Sequence, residues 1–300
     1  MSSIALKVDV DTLRGTQEGV PALLRLFERF DVKATFLFSL GPDHTGRALR
    51  RIFRPGFLRK VSRTSVASHY GIKTLLYGTL LPGPHIGQRC AETMRSVHSA
   101  GHEVGVHCYD HIKWQDFVAR KDETWTRQEM CSAVDAFREV FGFAPRVIGA
   151  AGWQINPHAL ALEDEFGFHY ASDTRGIEPF FPEMDGVRAR CVQLPTTLPT
   201  LDELIGVDGV TADNVHEIVL RHARQPTRFG HVYTLHAELE GMQLLPVMEQ
   251  LLVHWRNGGA NLTSLGEVFA RLDSNALPTC QIVWGTVPGR SGTLAVQRVA

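Results

Sequence analysis

The feature that most constrains this chain is a switch of hydrophobic period, from two to about three and a half and back, repeated along nearly its whole length. Ile4, Leu6, Val8 and Val10 alternate with Ala5, Lys7 and Asp9, the period that an extended strand presents. GVPALLRLFERFDV follows as a helix, with Pro21 near its first turn, where a missing N–H costs nothing. KATFLFSLG, HEVGVH, PRVIGAAG, HYASD, RCVQLPTTL, GHVYTLHAEL and ANLTSL read as further strands. GQRCAETMRSVHSAG, TRQEMCSAVDAFREVFG, PHALALEDEFG, TADNVHEIVLRHARQ, LPVMEQLLVHWRNGG and GEVFARLD read as helices. Parallel neighbours need a crossover between them, so strands alternating with helices predict a parallel α/β fold. About seven such units predict a TIM-like (β/α) barrel, short of the full eight, with its chemistry at the C-terminal ends of the strands. The expected organisation is a single barrel over residues 1–275 and an irregular tail over 276–300, where Gly, Pro, Val and Thr dominate.

Three hundred residues with 44% hydrophobic content suit a soluble globular protein, and a net charge of −1 gives no overall field for nucleic acid. Five scattered cysteines without a CxxC pair read as reduced thiols of a cytoplasmic setting rather than a disulfide framework. MSSIALKVDVD runs straight into a strand pattern, so neither a signal peptide nor a spanning segment is expected. One stretch breaks the average. His44 to Ala91 holds nine Lys or Arg and no Asp or Glu. Within it, ALRRIFRPGFLRKV and YGIKTLLYGTLLPGP mix the cations with Phe, Tyr, Ile and Leu. Such a segment reads as a membrane-facing insertion, with Arg50, Arg51, Arg54, Phe57, Arg59 and Lys60 as candidate lipid contacts, because anionic headgroups reward each nearby cation. A basic solvated helix or an RNA-binding patch is the plainer alternative.

The polar residues of the predicted strands gather at their ends. Asp9 and Asp11 sit two apart in KVDVDT and so face the same way; two buried carboxylates side by side need a cation or a proton between them. His107 closes the third strand, with His111 in the loop or helical turn beyond. Residues four apart on a helical turn share a face, which is how two imidazoles reach one metal. With a carboxylate from a neighbouring strand end they make a two-histidine, one-carboxylate set suited to Zn, Co, Mn or Fe. His236, near the end of GHVYTLHAEL and on one face with Glu238, is placed as a proton donor, or else is a satisfied core histidine. Asp173 and Arg175, at the end of HYASDTRG, either orient the catalytic groups or pair with each other.

DVDT at the first strand end, HCYDH after the third and LHAE in a late strand together resemble the polysaccharide-deacetylase (NodB-homology) family. The resemblance implies a distorted, incomplete barrel holding one divalent metal ion, with Asp9 as base, Asp11, His107 and His111 as metal ligands and His236 as acid. The family's third motif carries an Arg that orients the base. The matching stretch here, GAAGWQ, has none, and Arg175 is the candidate substitute. DVDTLRGTQEGVP, FSLGPD, HEVGVHCYDH, AAGW, LPTTLPTLDE and YTLHAELEG extend the likeness from about residue 4 to 270, toward a branch of the family that deformylates a lipid-linked sugar.

That closer likeness implies hydrolysis of the N-formyl group of undecaprenyl-phosphate-linked 4-deoxy-4-formamido-L-arabinose at the cytoplasmic face of the bacterial inner membrane. The amino-sugar lipid would feed lipid A modification and polymyxin resistance. It also gives the basic segment a use, since the substrate's tail lies in the membrane. Tyr109 or Trp153 would set the depth of the acyl pocket, and no protein partner is implied. Three rival readings stand beside it: a deacetylase of another N-acyl sugar, an Fe(II) oxygenase with the same triad, and a non-catalytic lipid-surface module.

Overall fold

The computed structural model describes residues 3–48 and 72–298. The candidate lipid contacts Arg50, Arg51, Arg54, Phe57, Arg59 and Lys60 lie outside the described residues. Among the described residues no helix is long and apolar enough to cross a membrane.

One sheet forms the centre: β1 (Ser3–Val10), β2 (Thr35–Ser39), β3 (Glu103–Cys108), β4 (Val147–Ile148), β5 (Tyr170–Ala171), β8 (Val192–Gln193), β9 (His231–His236) and β10 (Asn261–Thr263). Every pairing in it is parallel. β1 is its hub, paired with β9 from Ile4 to Asp9, with β10 at Ser3 to Ala5 and with β2 from Lys7 to Val10. The sheet curls toward closure, but among the described residues β8 and β9 share no ladder. Thr197 and Leu198 instead donate their N–H groups to the Val232 carbonyl, each at 3.1 Å, across the gap. This is the incomplete (β/α) barrel that the strand–helix alternation predicts.

Period two explains the two cores. Ile4, Leu6, Val8 and Val10 of β1, Phe36 and Phe38 of β2, and Val104 and Val106 of β3 join the outer core. There they meet Leu23 and Phe27 of helix Val20–Arg29, Met94 and Val97 of Ile86–Ser99, Met130 and Phe137 of Glu123–Phe141, and Met248 and Leu252 of Leu245–Asn257. The opposite faces line the interior, where Ala5, Leu37, Val147, Tyr170, Val192, Leu194, Val232 and Leu265 pack together. The helices begin and end where local chemistry provides for unpaired backbone groups. Asp122 and Asn156 cap helices Glu123–Phe141 and Pro157–Phe166, and Gly142 and Gly167 close them at φ 79° and 75°.

The C-terminal segment departs from expectation. In place of an irregular tail over 276–300, Thr279–Gly285 (β11) and Leu294–Gln297 (β12) form an antiparallel hairpin. With Phe181–Met184 (β6) and Val187–Arg188 (β7) it makes a second, four-stranded sheet. The hairpin is anchored to the barrel: Arg175 N–H donates to the Ala295 carbonyl at 3.0 Å, and Gln297 N–H donates to the Arg175 carbonyl at 2.8 Å. Gly and Pro punctuate a turn here rather than disorder, and the strands pair with partners remote in sequence.

A buried histidine makes part of the stability depend on pH. His102 is 4% exposed, packs near the rings of Phe27 and Phe36, and accepts the Ala34 N–H on Nδ1 at 3.1 Å. Burial, helped by the charge of Lys33, pushes it down from 6.5 to about 4. Above the unfolded value both states are neutral and the fold keeps its full stability. Below it the unfolded chain takes up a proton that the folded chain refuses, so stability falls as pH drops toward 4. Urea unfolding should show that His102→Gln, which keeps an acceptor for Ala34, reduces the stability loss between pH 7 and pH 5 by about 2 kcal/mol relative to the parent. An unchanged loss would mean that His102 is charged in the fold.

Candidate metal centre

Register brings the site together. Val10, Phe38, Val106, Ile148, Ala171 and Gln193 are successive partners across β1, β2, β3, β4, β5 and β8. Asp11 and His107, each one residue beyond that row, therefore emerge side by side at the C-terminal edge. His111 reaches them by a different route from the one its spacing implies. His107 belongs to β3, whereas His111 is the first residue of helix His111–Phe117. A strand-to-helix turn, not one helical turn, brings the two rings to 5.4 Å between centroids. Asp110 caps that helix by accepting the Lys113 N–H, and its other oxygen meets His44 Nδ1 at 2.6 Å.

Asp11 Oδ1 lies 3.3 Å from His107 Nε2 and 3.4 Å from His111 Nε2. It is buried and accepts no hydrogen bond of its own. One ligand atom from each of Asp11, His107 and His111 falls within 4.8 Å of the others. His107 Nδ1 donates to the Gly149 carbonyl at 2.6 Å, which leaves Nε2 with its lone pair toward the cluster, as a metal-binding imidazole requires. A carboxylate oxygen without a hydrogen bond, facing two imidazole nitrogens, fits a divalent cation. Burial would raise the Asp11 carboxyl, but the charges of His111 and His107 outweigh it and hold the carboxyl well below the usual range. Burial would lower His107, but the Asp9 and Asp11 carboxylates outweigh it and raise the ring. Each shift reports a compact cluster of opposite charges.

Asp9 and His236 lie beside one another next to the cluster. They are Cα partners on β1 and β9. Asp9 Oδ2 lies 3.5 Å from Lys7 Nζ, while Oδ1, buried 3.9 Å from His107 Nδ1, accepts no hydrogen bond. His236 is half-buried at the end of β9, and its backbone N–H donates to Glu240 Oε2 at 2.9 Å. Burial, opposed by the His236 charge, pushes the Glu240 carboxyl up to about 7.

Other residues hold the strand ends in place. Glu238 Oε1 accepts the Asp11 N–H at 3.0 Å, the Thr12 N–H at 2.8 Å and the Thr12 hydroxyl at 2.8 Å. Asp43 Oδ2 accepts the Leu13 N–H at 2.9 Å. A methyl group at Gly15 would overlap the Glu238 carboxyl, and one at Gly19 the Ala237 carbonyl; both glycines serve this close approach. Asp173 Oδ1 accepts the Ala150 N–H at 2.6 Å and Oδ2 the Gln193 amide at 2.6 Å. It thereby steadies the segment whose Gly149 carbonyl aims His107.

Arg175 does something else. It pairs with Glu203 and donates to the carbonyls of Thr196 at 3.3 Å and Leu198 at 3.0 Å, so it neither pairs with Asp173 nor reaches Asp9. Trp153 is 2% exposed, lies under Lys7, Arg175 and Arg290, and donates to Thr196 Oγ1 at 3.2 Å; its place is inside the barrel wall. Tyr109 is partly exposed beside Gly41 and His85, outside the ligand cluster. Lys7, Asp43, His44 and the Gly149 carbonyl join the surroundings of the site without being among the residues predicted from sequence. For Lys7 a signal was present, since in KVDVD it shares the inward face with Asp9 and Asp11.

A curled parallel barrel with a carboxylate and two histidines at the C-terminal strand ends places the chain in the class of (β/α)-barrel enzymes. A family model for polysaccharide deacetylases matches residues 2–171. The chain belongs to the polysaccharide deacetylase family. It is 36% identical over 99% of its length, and 95% of the relative's, to the "Probable 4-deoxy-4-formamido-L-arabinose-phosphoundecaprenol deformylase ArnD" of Shewanella sediminis. It is 32% identical to the protein of the same name from Wigglesworthia glossinidia brevipalpis, over 95% of this chain and 98% of that one. Among solved structures, a polysaccharide deacetylase homologue from Mycobacterium smegmatis shares the fold at TM-score 0.62 and 18% identity, covering 92% of each chain. PuuE allantoinase does so at 0.58 and 17%, covering 90% of each.

Proposed function

We propose that this protein hydrolyses the N-formyl group of undecaprenyl-phosphate-linked 4-deoxy-4-formamido-L-arabinose, releasing formate and the 4-amino sugar lipid. The observation that carries the chemistry is the register of Asp9 with His236 across β1 and β9, which sets the two side by side next to the Asp11–His107–His111 cluster. Near full-length likeness to two relatives bearing the deformylase name supports the substrate.

Asp11, His107 and His111 would hold a divalent ion, which supplies Lewis acidity toward the amide carbonyl and makes water more acidic. Asp9 Oδ1, uncommitted to any hydrogen bond, takes the proton from the attacking water. The oxygen adds to the formyl carbon, the C–N bond breaks, and His236 gives the departing nitrogen its proton, without which an amine anion would have to leave. The product amine is cationic at neutral pH, which suits a role in lipid A modification and polymyxin resistance. The protein would work peripherally at the cytoplasmic face of the inner membrane. The carboxylate-free stretch 44–91 supports this location, as does Leu80, which is 82% exposed beside Leu81.

The test is formate release from the undecaprenyl-linked formamido sugar by purified protein, before and after chelation and re-addition of Zn, Co, Mn or Fe. Formate that disappears with chelator and returns with metal is the expected result. No formate with any metal, together with acetate release from an N-acetyl sugar, would replace the deformylase reading with deacetylation.

A further inference from the structure

Lys7 is fully buried within the barrel. Its neighbours are few and specific. Nζ donates to the Ser172 carbonyl at 2.9 Å, lies 3.5 Å from Asp9 Oδ2, and stands 5.6 Å from the centre of the Trp153 ring. A buried cation costs several kcal/mol unless it is paired, and an apolar residue of similar volume would usually serve stability as well or better. Stability therefore does not account for a lysine here.

The distribution of contacts over the Asp9 carboxylate does account for it. One oxygen faces the ammonium, and the other lies 3.9 Å from His107 Nδ1 with no hydrogen bond of its own. Lys7 is in turn fixed from behind by Ser172, on the segment just past β5, and its Cα partners in β2 and β9 are Thr35 and Thr234. The ammonium is therefore set on one side of Asp9 by the strand itself. The absence of Arg in GAAGWQ and the engagement of Arg175 with Glu203 leave Asp9 with no arginine partner among the described residues.

We infer that Lys7 is the positioning residue for Asp9: it holds Oδ2 so that Oδ1 points to where the water must lose its proton. The inference rests on the proposed role of Asp9 as base. Lys7 acts through Asp9 and touches no reacting atom.

The experiment compares Lys7→Met, Asp9→Asn and the double variant, with metal content and thermal unfolding measured alongside turnover. Lys7→Met is expected to lower kcat about 10- to 100-fold while KM and metal stoichiometry stay near those of the parent. In the Asp9→Asn background it should cost nothing further, because two residues acting as one unit are not additive. For Lys7→Ala, a small alkylammonium salt should restore part of the rate, which repacking of a merely structural lysine would not do. A crystal structure of Lys7→Met reads the orientation without any assay and is expected to show the Asp9 carboxylate turned. Additive losses, or an unmoved carboxylate with parental kcat, would overturn the inference. If the parent releases no formate, the proposed substrate fails, and the Asp9 orientation in the Lys7→Met structure still decides the role of Lys7. Should Lys7→Met not fold, Lys7→Ala with and without the alkylammonium carries the same test.

Discussion

His107→Ala should leave a folded protein that neither retains a divalent metal nor turns over substrate. The imidazole supplies one of three candidate ligand atoms clustered within 4.8 Å, and the Gly149 carbonyl fixes its orientation. Changing residues that merely support a ligand commonly costs about 10- to 100-fold in metal affinity, so deleting the ligand itself should cost more than that. Activity should fall below detection at metal concentrations that saturate the parent. Removal of the ring also leaves Asp11 Oδ1 facing His111 alone. Metal analysis after gel filtration and a thermal-shift titration provide the check. Saturating metal should raise the parent's unfolding temperature, since a ligand at 100 times its Kd adds about 2.7 kcal/mol, and should raise that of the variant little. A variant that kept its metal would remove His107 from the ligand set.

Asp9→Asn should separate catalysis from binding. The amide keeps the size of the side chain and can still direct its oxygen toward Lys7, but it cannot take a proton. Loss of a general base lowers the rate by roughly 10²- to 10⁴-fold, and that is the drop expected in kcat, with metal content preserved. Asp11→Asn, two residues further on and within the cluster, should lose metal as well as rate. The contrast between them distinguishes a base from a ligand on the same face of β1. If Asp9→Asn also lost its metal, both carboxylates would belong to the ligand set and the base would have to be sought elsewhere.

Much of this site is legible from local patterns. Period two places Lys7, Asp9 and Asp11 on one face of β1 and the apolar residues on the other, and the structure has that arrangement. His107 at a strand end and His236 at another likewise follow from alternation. Other features were not legible, for stated reasons. The four-residue spacing of His107 and His111 suggests a helical turn, but the Asp110 cap starts the helix only at His111, so the spacing crosses a strand-to-helix junction. For Arg175 the sequence leaves open orienting the catalytic groups or pairing with Asp173, and neither holds, because Glu203, which claims it, lies in a separate short helix, Leu201–Leu204. The final segment reads as irregular because, beyond its own hairpin pairing, what holds it is β6 and the Arg175 backbone, about a hundred residues earlier.

What the sequence by itself determined is the set of elements and the direction of each side chain within them. These depend on backbone geometry over a few residues, and hydrophobic periodicity records them directly. Only the tertiary structure decided which strand lies beside which. Seating β1 between β2 and β9 brings Asp9 against His236 and sets Glu238 beneath the Asp11 backbone, and pairing β3 with β4 places the Gly149 carbonyl behind His107. Strand partners are chosen by the burial of whole faces and the closing of a curved sheet, energies summed over the packed chain. No short window of residues contains that sum.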